Sequence, residues 1–298
     1  MDIRWILFEG NGHLRSGWRF AVFFVFFIAA AMMIGGVGVT VLNSLRVPLE
    51  PETPNSLIVN GILMLIPALL IGWLCGKYLE GLPFRALGAW FTTGWLRNLI
   101  AGIFFGAATV GFAVLLAFAF GGLRFETNPI NTGVLVNSLS ISFVIFAIGA
   151  AWEEALFRGY ILQTFARSGF AALAIGLTAV FFGAIHLGNP SAGVISTLNT
   201  ILAGVWFGIA YLKTRDLWFV WGMHLMWNWT QGAFFGIEVS GITYASPTPL
   251  FREIDSGPAW LTGETYGVEG GIVTTVAIVA STVMIYFLPW LTPKPDDN

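Results

Sequence analysis

Two adjacent glutamates and an arginine interrupt an apolar part of the chain, in the segment GAAWEEALFRGYILQ at residues 149–163. Glu154 and Arg158 are four residues apart, so a helix would place them on one face as an ion pair. Glu153 points about 100° away from Glu154 around such a helix and has no arginine of its own. A carboxylate sheltered from water beside a second carboxylate is suited to act as a general base.

The same three residues also have a purely structural interpretation. Glu154 and Arg158 would then form a pair near the membrane interface, with the arginine side chain extended towards water. That interpretation does not account for Glu153. A charged side chain at the centre of a spanning helix costs at least about 2.5–3.5 kcal/mol, so we favour a functional role for the cluster.

Histidines provide the other ionisable groups at membrane depth. His224 and Asn228 in HLMWN are four residues apart and share one helix face. They could form hydrogen bonds between helices, or their two N–H groups could hold a carbonyl oxygen as it becomes negative. His186, in FFGAIHLGNP, has no polar neighbour on its segment and by itself is typical of a helix end.

The composition predicts the elements that must position these groups. Of 298 residues, 56% are hydrophobic and 10% are charged, whereas soluble domains carry about 25% charged residues. Uncharged runs of roughly 20 residues are typical of membrane-spanning helices. We predict an all-α polytopic membrane protein with a single transmembrane domain, 1–298, and a motif-bearing core at about 134–237. The eight predicted helices are 18–42, 57–79, 95–120, 134–166, 170–187, 191–212, 217–237 and 271–291.

Eleven of the fourteen Lys and Arg residues lie at one end of this predicted bundle. The other three, Arg46, Arg124 and Arg252, lie at the opposite end. The positive-inside rule therefore predicts an integral protein of the cell membrane with both termini in the cytoplasm. The net charge of −2 gives no indication of a nucleic-acid partner.

Helix geometry predicts the relative depth of the candidate residues. Glu153 and His186 flank a turn near residue 168, and their heights above it differ by only about 3 Å. His224 and Asn228 reach the same level if the fourth helix extends into the cytoplasm. However, His186 precedes the turn GNPS, which a simple topology places at the outer surface. That turn must dip into the protein if His186 is to join the others.

Several catalytic classes are excluded by the sequence. It contains no H-E-x-x-H motif of zinc proteases and no G-x-S-x-G motif of serine hydrolases. Its five aspartates lie in predicted tails or loops, which excludes a pair of catalytic aspartates within the membrane. The single cysteine, Cys75, excludes a disulfide within the chain and a cysteine-rich metal site.

Taken together, the three clusters resemble the motifs of the CAAX prenyl protease and bacteriocin-processing family, also called CPBP or Abi. EEALFR at 153–158 resembles E-E-x-x-x-R, FGAIH at 182–186 resembles F-x-x-x-H, and HLMWN at 224–228 resembles H-x-x-x-N/D. The motifs occur in the family's order and cover about 80 residues. The first three helices and the loop 238–270 match nothing specific.

The resemblance implies an intramembrane glutamic endopeptidase with a conical catalytic cavity formed by helices four to seven. By position, it assigns water activation to Glu153 and His186, orientation of the site to Glu154 and Arg158, and the oxyanion hole to His224 and Asn228. We expect a peptide or protein substrate, lipidated and membrane-associated substrates included, cut near the cytoplasmic face. No cofactor is predicted: two glutamates and two histidines could hold zinc, but glutamate–water chemistry needs no metal, and we favour a metal-free site.

Two other functions use the same residues. In a non-catalytic membrane immunity or scaffold protein they would serve as structural contacts between helices. In a proton-coupled transporter the buried carboxylates would relay protons, but the broken helices in two matched halves that many transporters contain are not visible in the sequence.

Overall fold

The computed structural model describes residues 4–10, 12–47 and 49–292, which form helices and one two-stranded sheet. In chain order the α-helices are α1 (Arg4–Leu7), α2 (Ser16–Ser44), α3 (Pro54–Glu80), α4 (Trp95–Ala119), α5 (Thr132–Glu154), α6 (Leu162–Arg167), α7 (Ala171–Ile185), α8 (Val194–Thr214), α9 (Leu217–Trp229), α10 (Ala259–Thr262) and α11 (Ile272–Phe287). The strands are β1 (Leu123–Thr127) and β2 (Phe251–Asp255). The predicted all-α membrane class is confirmed.

Six helices in the described ranges are long and apolar enough to cross a bilayer. They are α2, α3, α4, the continuous segment Thr132–Arg167, the segment Ala171–Gly188 and α8. The last two predicted spans fold as shorter helices, α9 and α11. Eight spans therefore stay a prediction, although helical structure is found at each predicted position.

Two π-helical turns lie at the motifs: the first contains Arg158 of the first motif, and the second follows the third motif. Ala155–Ile161 joins α5 to α6 directly after the two glutamates, and Thr230–Phe234 extends α9 directly after the third motif. A π-turn inserts an extra residue into the helical ladder and is frequent at functional sites. The side chains on either side of each turn therefore face different neighbours from those that an uninterrupted α-helix would give them.

Close contact with α4 fixes the position of α9. A Cβ atom added at Gly102 would lie 2.0 Å from the carbonyl oxygen of Phe219, and one at Gly106 would lie 2.1 Å from that of Met223. Small residues four apart permit such an approach of two membrane helices. The first residues of the helices are also joined, because Asn98 donates a hydrogen bond to the Asp216 carboxylate at 2.7 Å.

Two tryptophans join α9 to α5. The indole N–H of Trp221 donates to the carbonyl of Ala147 at 2.8 Å, and that of Trp229 donates to the carbonyl of Leu139 at 3.1 Å. These bonds, together with the α4 contact, hold α9 between two helices. The third motif is consequently brought level with the glutamates near the end of α5.

The segment 238–270, predicted as a long loop, contains regular structure. Strand β2 within it pairs antiparallel with β1, and Phe125 lies opposite Glu253. Burial raises the pKa of Glu253 to about 8, and the nearby carboxylates of Glu238 and Asp255 contribute to the same shift. We call residues 235–270 the cap, because part of the segment lies over the candidate site.

A buried charge network closes the end of the bundle away from the cap. Glu80, the last residue of α3, pairs with Arg19 at 2.7 Å and with Arg167 at 3.0 Å. Its carboxylate also accepts a hydrogen bond from Thr164 at 3.1 Å. Helices α2, α3 and α6 are joined at this point, below the helical segment that carries the glutamates.

Candidate active site

The first motif contains a fully buried ion pair. Arg158 Nη1 lies 3.0 Å from Glu154 Oε1, and the side chains of the two residues are 0% and 1% exposed. Arg158 Nη2 also donates to the carbonyl of Gly204 on α8 at 3.1 Å. The arginine therefore does not extend towards water, and the alternative of a pair at the membrane interface does not describe this site.

Aromatic rings surround the arginine. The guanidinium carbon of Arg158 lies 5.1 Å from the ring centres of Phe182 and Phe207 and 5.7 Å from that of Phe157. Arginine over aromatic faces gains cation–π attraction, which is stronger where water is excluded. This enclosure compensates part of the cost of burying the charge and fixes the direction in which Glu154 is held.

His224 lies between the two glutamates. Its Nδ1 is 2.9 Å from Glu154 Oε1, and its Nε2 is 3.8 Å from Glu153 Oε2. Because a carboxylate paired with arginine is an acceptor, Nδ1 carries the proton in the first contact. The ring of Phe207 is stacked on the imidazole at 4.8 Å with an interplanar angle of 24°, so the orientation of His224 is set from three sides.

Glu153 differs from Glu154 in facing a cavity. The Oε2 atom of each glutamate is buried and accepts no hydrogen bond from the described residues. However, the Glu153 side chain is 15% exposed and lines a cavity of about 400 Å³, whereas that of Glu154 is 1% exposed. A water molecule in the cavity can therefore reach the carboxylate of Glu153 and not that of Glu154.

His186 lines the same cavity as Glu153. It follows the last residue of α7 at the start of a short 3₁₀ turn, and its Nδ1 lies 2.7 Å from the carbonyl of Phe182. A carbonyl only accepts, so Nδ1 carries the proton there and Nε2 of the neutral ring is an acceptor. The cap contacts the turn after it, because Asn189 donates to the carbonyl of Ser240 at 3.2 Å. The depth of His186 in the membrane stays a prediction.

Asn228 lies one turn beyond His224 on α9 and also faces the cavity. The cavity thus brings together Glu153, His186, His224 and Asn228, while Glu154 and Arg158 lie behind His224. Its walls extend beyond the predicted four helices. They include residues of α3, of α11 and of the cap, such as Asn60, Ile278 and Ile242.

Sequence reasoning missed two residues that contact the site. Phe207 is stacked on His224 and lies over Arg158, but phenylalanine is common in membrane helices and gives no signal. Glu269 in the cap lines the cavity and accepts hydrogen bonds from the Trp227 indole at 2.9 Å and from Ser240 N and Oγ at 2.6 and 2.7 Å. In the sequence, Glu269 is marked only as a carboxylate shortly before the apolar helix α11.

The donor set gives no group of metal ligands. Across the described ranges, no three His, Cys, Asp or Glu side chains lie close enough together to hold a metal ion. Two donor atoms are already engaged, since His186 Nδ1 contacts a carbonyl and His224 Nδ1 contacts Glu154. The metal-free mechanism stays a prediction.

A comparison with models of known protein families found a match to about a third of the chain. Residues 135–230 match the model of a protein family described as Type II CAAX prenyl endopeptidase Rce1-like. The matched segment is Rce1-like. It includes all six candidate residues from Glu153 to Asn228, so the resemblance drawn from the three motifs is confirmed. No curated protein matches the chain.

The Rce1-like match has consequences at the level of the family. It supports a CAAX-type intramembrane protease, an integral protein of a lipid bilayer that acts on a peptide substrate. The matched residues stop before the cap, and they exclude α3 and α11 as well. Part of the cavity wall is therefore built from residues outside the Rce1-like segment.

Proposed function

We propose that this protein is a metal-independent intramembrane endopeptidase in which Glu153 and His186 activate a water molecule. The observation that carries the proposal is the partly exposed carboxylate of Glu153, which lines a cavity shared with two histidines and an asparagine. A carboxylate in this position accepts a proton from water as the oxygen attacks a peptide carbonyl. His186 Nε2 is a second acceptor that orients the same water.

The negative oxygen that forms on the carbonyl requires donors. Asn228 supplies a side-chain N–H, and His224 supplies a second N–H from Nε2 when its ring carries both protons. In that form the buried cluster contains two carboxylates, Glu153 and Glu154, and two cations, His224 and Arg158. The four charges sum to zero, as a cluster shielded from water requires.

The proton taken from water then returns to the leaving nitrogen. The tetrahedral carbon collapses, the C–N bond breaks, and Glu153 donates its proton to the departing amine, so that water is consumed and two new termini are formed. Arg158 and Glu154 are positioning residues in this scheme. Arg158 holds the Glu154 carboxylate at 3.0 Å, and Glu154 contacts His224 Nδ1 at 2.9 Å and so fixes the orientation of the imidazole ring.

The first experiment compares peptide termini in membranes that contain the wild-type protein or Glu153→Gln. The substitution keeps the shape of the side chain and removes the base, so termini produced by the enzyme should disappear. Glu126→Gln, at an exposed carboxylate of β1, is the matched control and should leave them in place. Identical termini with Glu153→Gln would refute catalysis and favour the immunity or scaffold role.

A second experiment separates the roles of the donors and tests metal dependence. With a peptide that contains an identified cleavage site, Asn228→Ala should lower kcat by about 10²–10³ while KM changes little. A metal chelator such as EDTA should leave the wild-type rate unchanged. Loss of activity in EDTA that zinc restores would contradict the metal-free mechanism.

A further inference from the structure

The cavity extends towards only one end of the helical bundle. Its lining residues on the long helices include Asn60 in the first part of α3, Phe146 in the middle of α5 and Asn199 in the first part of α8. The chain direction of each helix places these residues in the half nearer to the cap. Val239 and Ile242 of the cap also line the cavity.

The opposite half of the bundle is closed by packing. Every residue from Glu154 to Phe165 is buried. Within this run, the Gln163 amide donates to the carbonyls of Leu87, Arg158 and Gly159 at 2.9–3.1 Å. The charge network around Glu80 lies below it. A peptide therefore has no path to the glutamates through this part of the described structure.

The closed half carries most of the positive charge. Among the described residues, eight Lys and Arg side chains lie in or near the connections at that end: Arg15, Arg19, Lys77, Arg85, Arg97, Arg167, Lys213 and Arg215. The cap end carries three, Arg46, Arg124 and Arg252. The positive-inside rule places the charged, closed end in the cytoplasm.

We propose that the cavity opens to the non-cytoplasmic side of the membrane and receives peptide segments that reach it from that side. The substrates would be exported or membrane-anchored polypeptides whose scissile bond lies outside the cytoplasm. This inference rests on the proposed endopeptidase activity, whose substrate class it names. It reverses the expectation of cleavage near the cytoplasmic face, because the closed packing lies between the glutamates and that face.

Cysteine labelling tests the direction of the opening without requiring activity. The only cysteine, Cys75, is buried, so Cys75→Ser provides a cysteine-free background. Into it we would introduce Asn60→Cys in the cavity wall, Thr243→Cys in the cap, or Arg85→Cys at the closed end. Each is treated with a membrane-impermeant maleimide in right-side-out and in inverted membrane vesicles.

We expect the introduced cysteines to react from different sides of the membrane. Asn60→Cys and Thr243→Cys should react in right-side-out vesicles, and Arg85→Cys should react only in inverted ones. Reaction of Asn60→Cys only in inverted vesicles, together with Arg85→Cys, would overturn the proposal. Cys75→Ser without an added cysteine measures the background.

The substrates themselves provide the second readout. Termini that disappear with Glu153→Gln should map to non-cytoplasmic segments of exported or membrane proteins, and termini in cytoplasmic segments would overturn the substrate class. The two proposals fail separately. Labelling from the cap side without any lost termini would refute the endopeptidase alone, whereas lost termini with labelling from the closed side would refute only the direction of the opening.

Discussion

Gly106 lies on α4 where that helix contacts α9. The residue that it meets on α9 is Met223, which directly precedes His224. A Cβ atom at Gly106 would lie 2.1 Å from the Met223 carbonyl oxygen, whereas real Cβ atoms essentially never approach within 3.0 Å of another heavy atom. In Gly106→Ala the two backbones must therefore separate by roughly 0.9 Å, the difference of these two distances. Helix α4 is itself held to α11 by the hydrogen bond from Thr109 to Ser281 at 2.9 Å, so α9 must move.

This displacement would lengthen the contact between His224 and Glu154. If it passes in full to His224, the 2.9 Å contact with Glu154 lengthens to about 3.8 Å, beyond hydrogen-bond range. A misplacement of about 1 Å at a catalytic group can lower the rate by about 10²-fold. We expect a loss of that order in kcat/KM for Gly106→Ala.

The assay measures initial rates on a peptide that contains an identified cleavage site, with the thermal unfolding midpoint in detergent measured on the same samples. Gly111→Ala is the matched control, because it makes the same change in the same helix and its Cβ would meet nothing within 4 Å. Both variants gain the same helix propensity. If folded Gly106→Ala cleaved the peptide as fast as Gly111→Ala, the reasoning from backbone contact would be wrong.

Three further predictions concern other parts of the molecule. Arg158→Met leaves the buried Glu154 carboxylate without its guanidinium partner and should lower the free energy of unfolding by about 3–5 kcal/mol, as measured by denaturation in detergent. Phe207→Leu removes the ring stacked on His224 and should lower kcat by up to about tenfold with a smaller change in KM. Because the pKa of Glu253 is raised from 4.5 to about 8, the fold binds that proton more tightly than the unfolded chain. The free energy of unfolding should therefore fall as the pH rises from 4.5 to about 8 and level off above it, and Glu253→Gln should remove this part of the pH dependence.

Each of these predictions has a control within the chain. Arg252→Met breaks an exposed pair with Glu126 and should change stability by less than about 1 kcal/mol. Phe120→Leu alters an exposed ring and should leave kcat unchanged, whereas an equal loss in both phenylalanine variants would contradict a role for stacking. Glu126→Gln should retain the pH dependence of the wild type.

Much of the site could be predicted from residue types and spacing. The pairs Glu154–Arg158 and His224–Asn228 are four residues apart, and a helix places such residues on one face whatever surrounds it. A membrane environment makes every buried charge conspicuous, which is why Glu153 was recognised without a partner. The place of His186 in the site was expected only from the family resemblance, because spacing along the chain does not establish that it is level with the others.

The fold, like the site, has one part that the sequence predicts and one part that it does not. Long apolar runs predict helices because the bilayer requires every backbone group to be bonded within its own segment. The strands β1 and β2 are short and far apart in the sequence, and their pairing depends on how the intervening helices pack. The π-turn at Ala155–Ile161 and the stacking of Phe207 on His224 arise from tertiary contacts, which no local pattern encodes.

The cap contributes cavity walls but lies outside the Rce1-like segment. The proposed catalytic groups and part of the cavity wall that would contact the peptide are thus encoded on separate stretches of the chain. Substitutions in Val239–Ile242 can alter which polypeptides are accepted while the catalytic motifs stay intact. Proteins with identical motifs and different caps would then differ in the polypeptides that they accept rather than in the reaction that they catalyse.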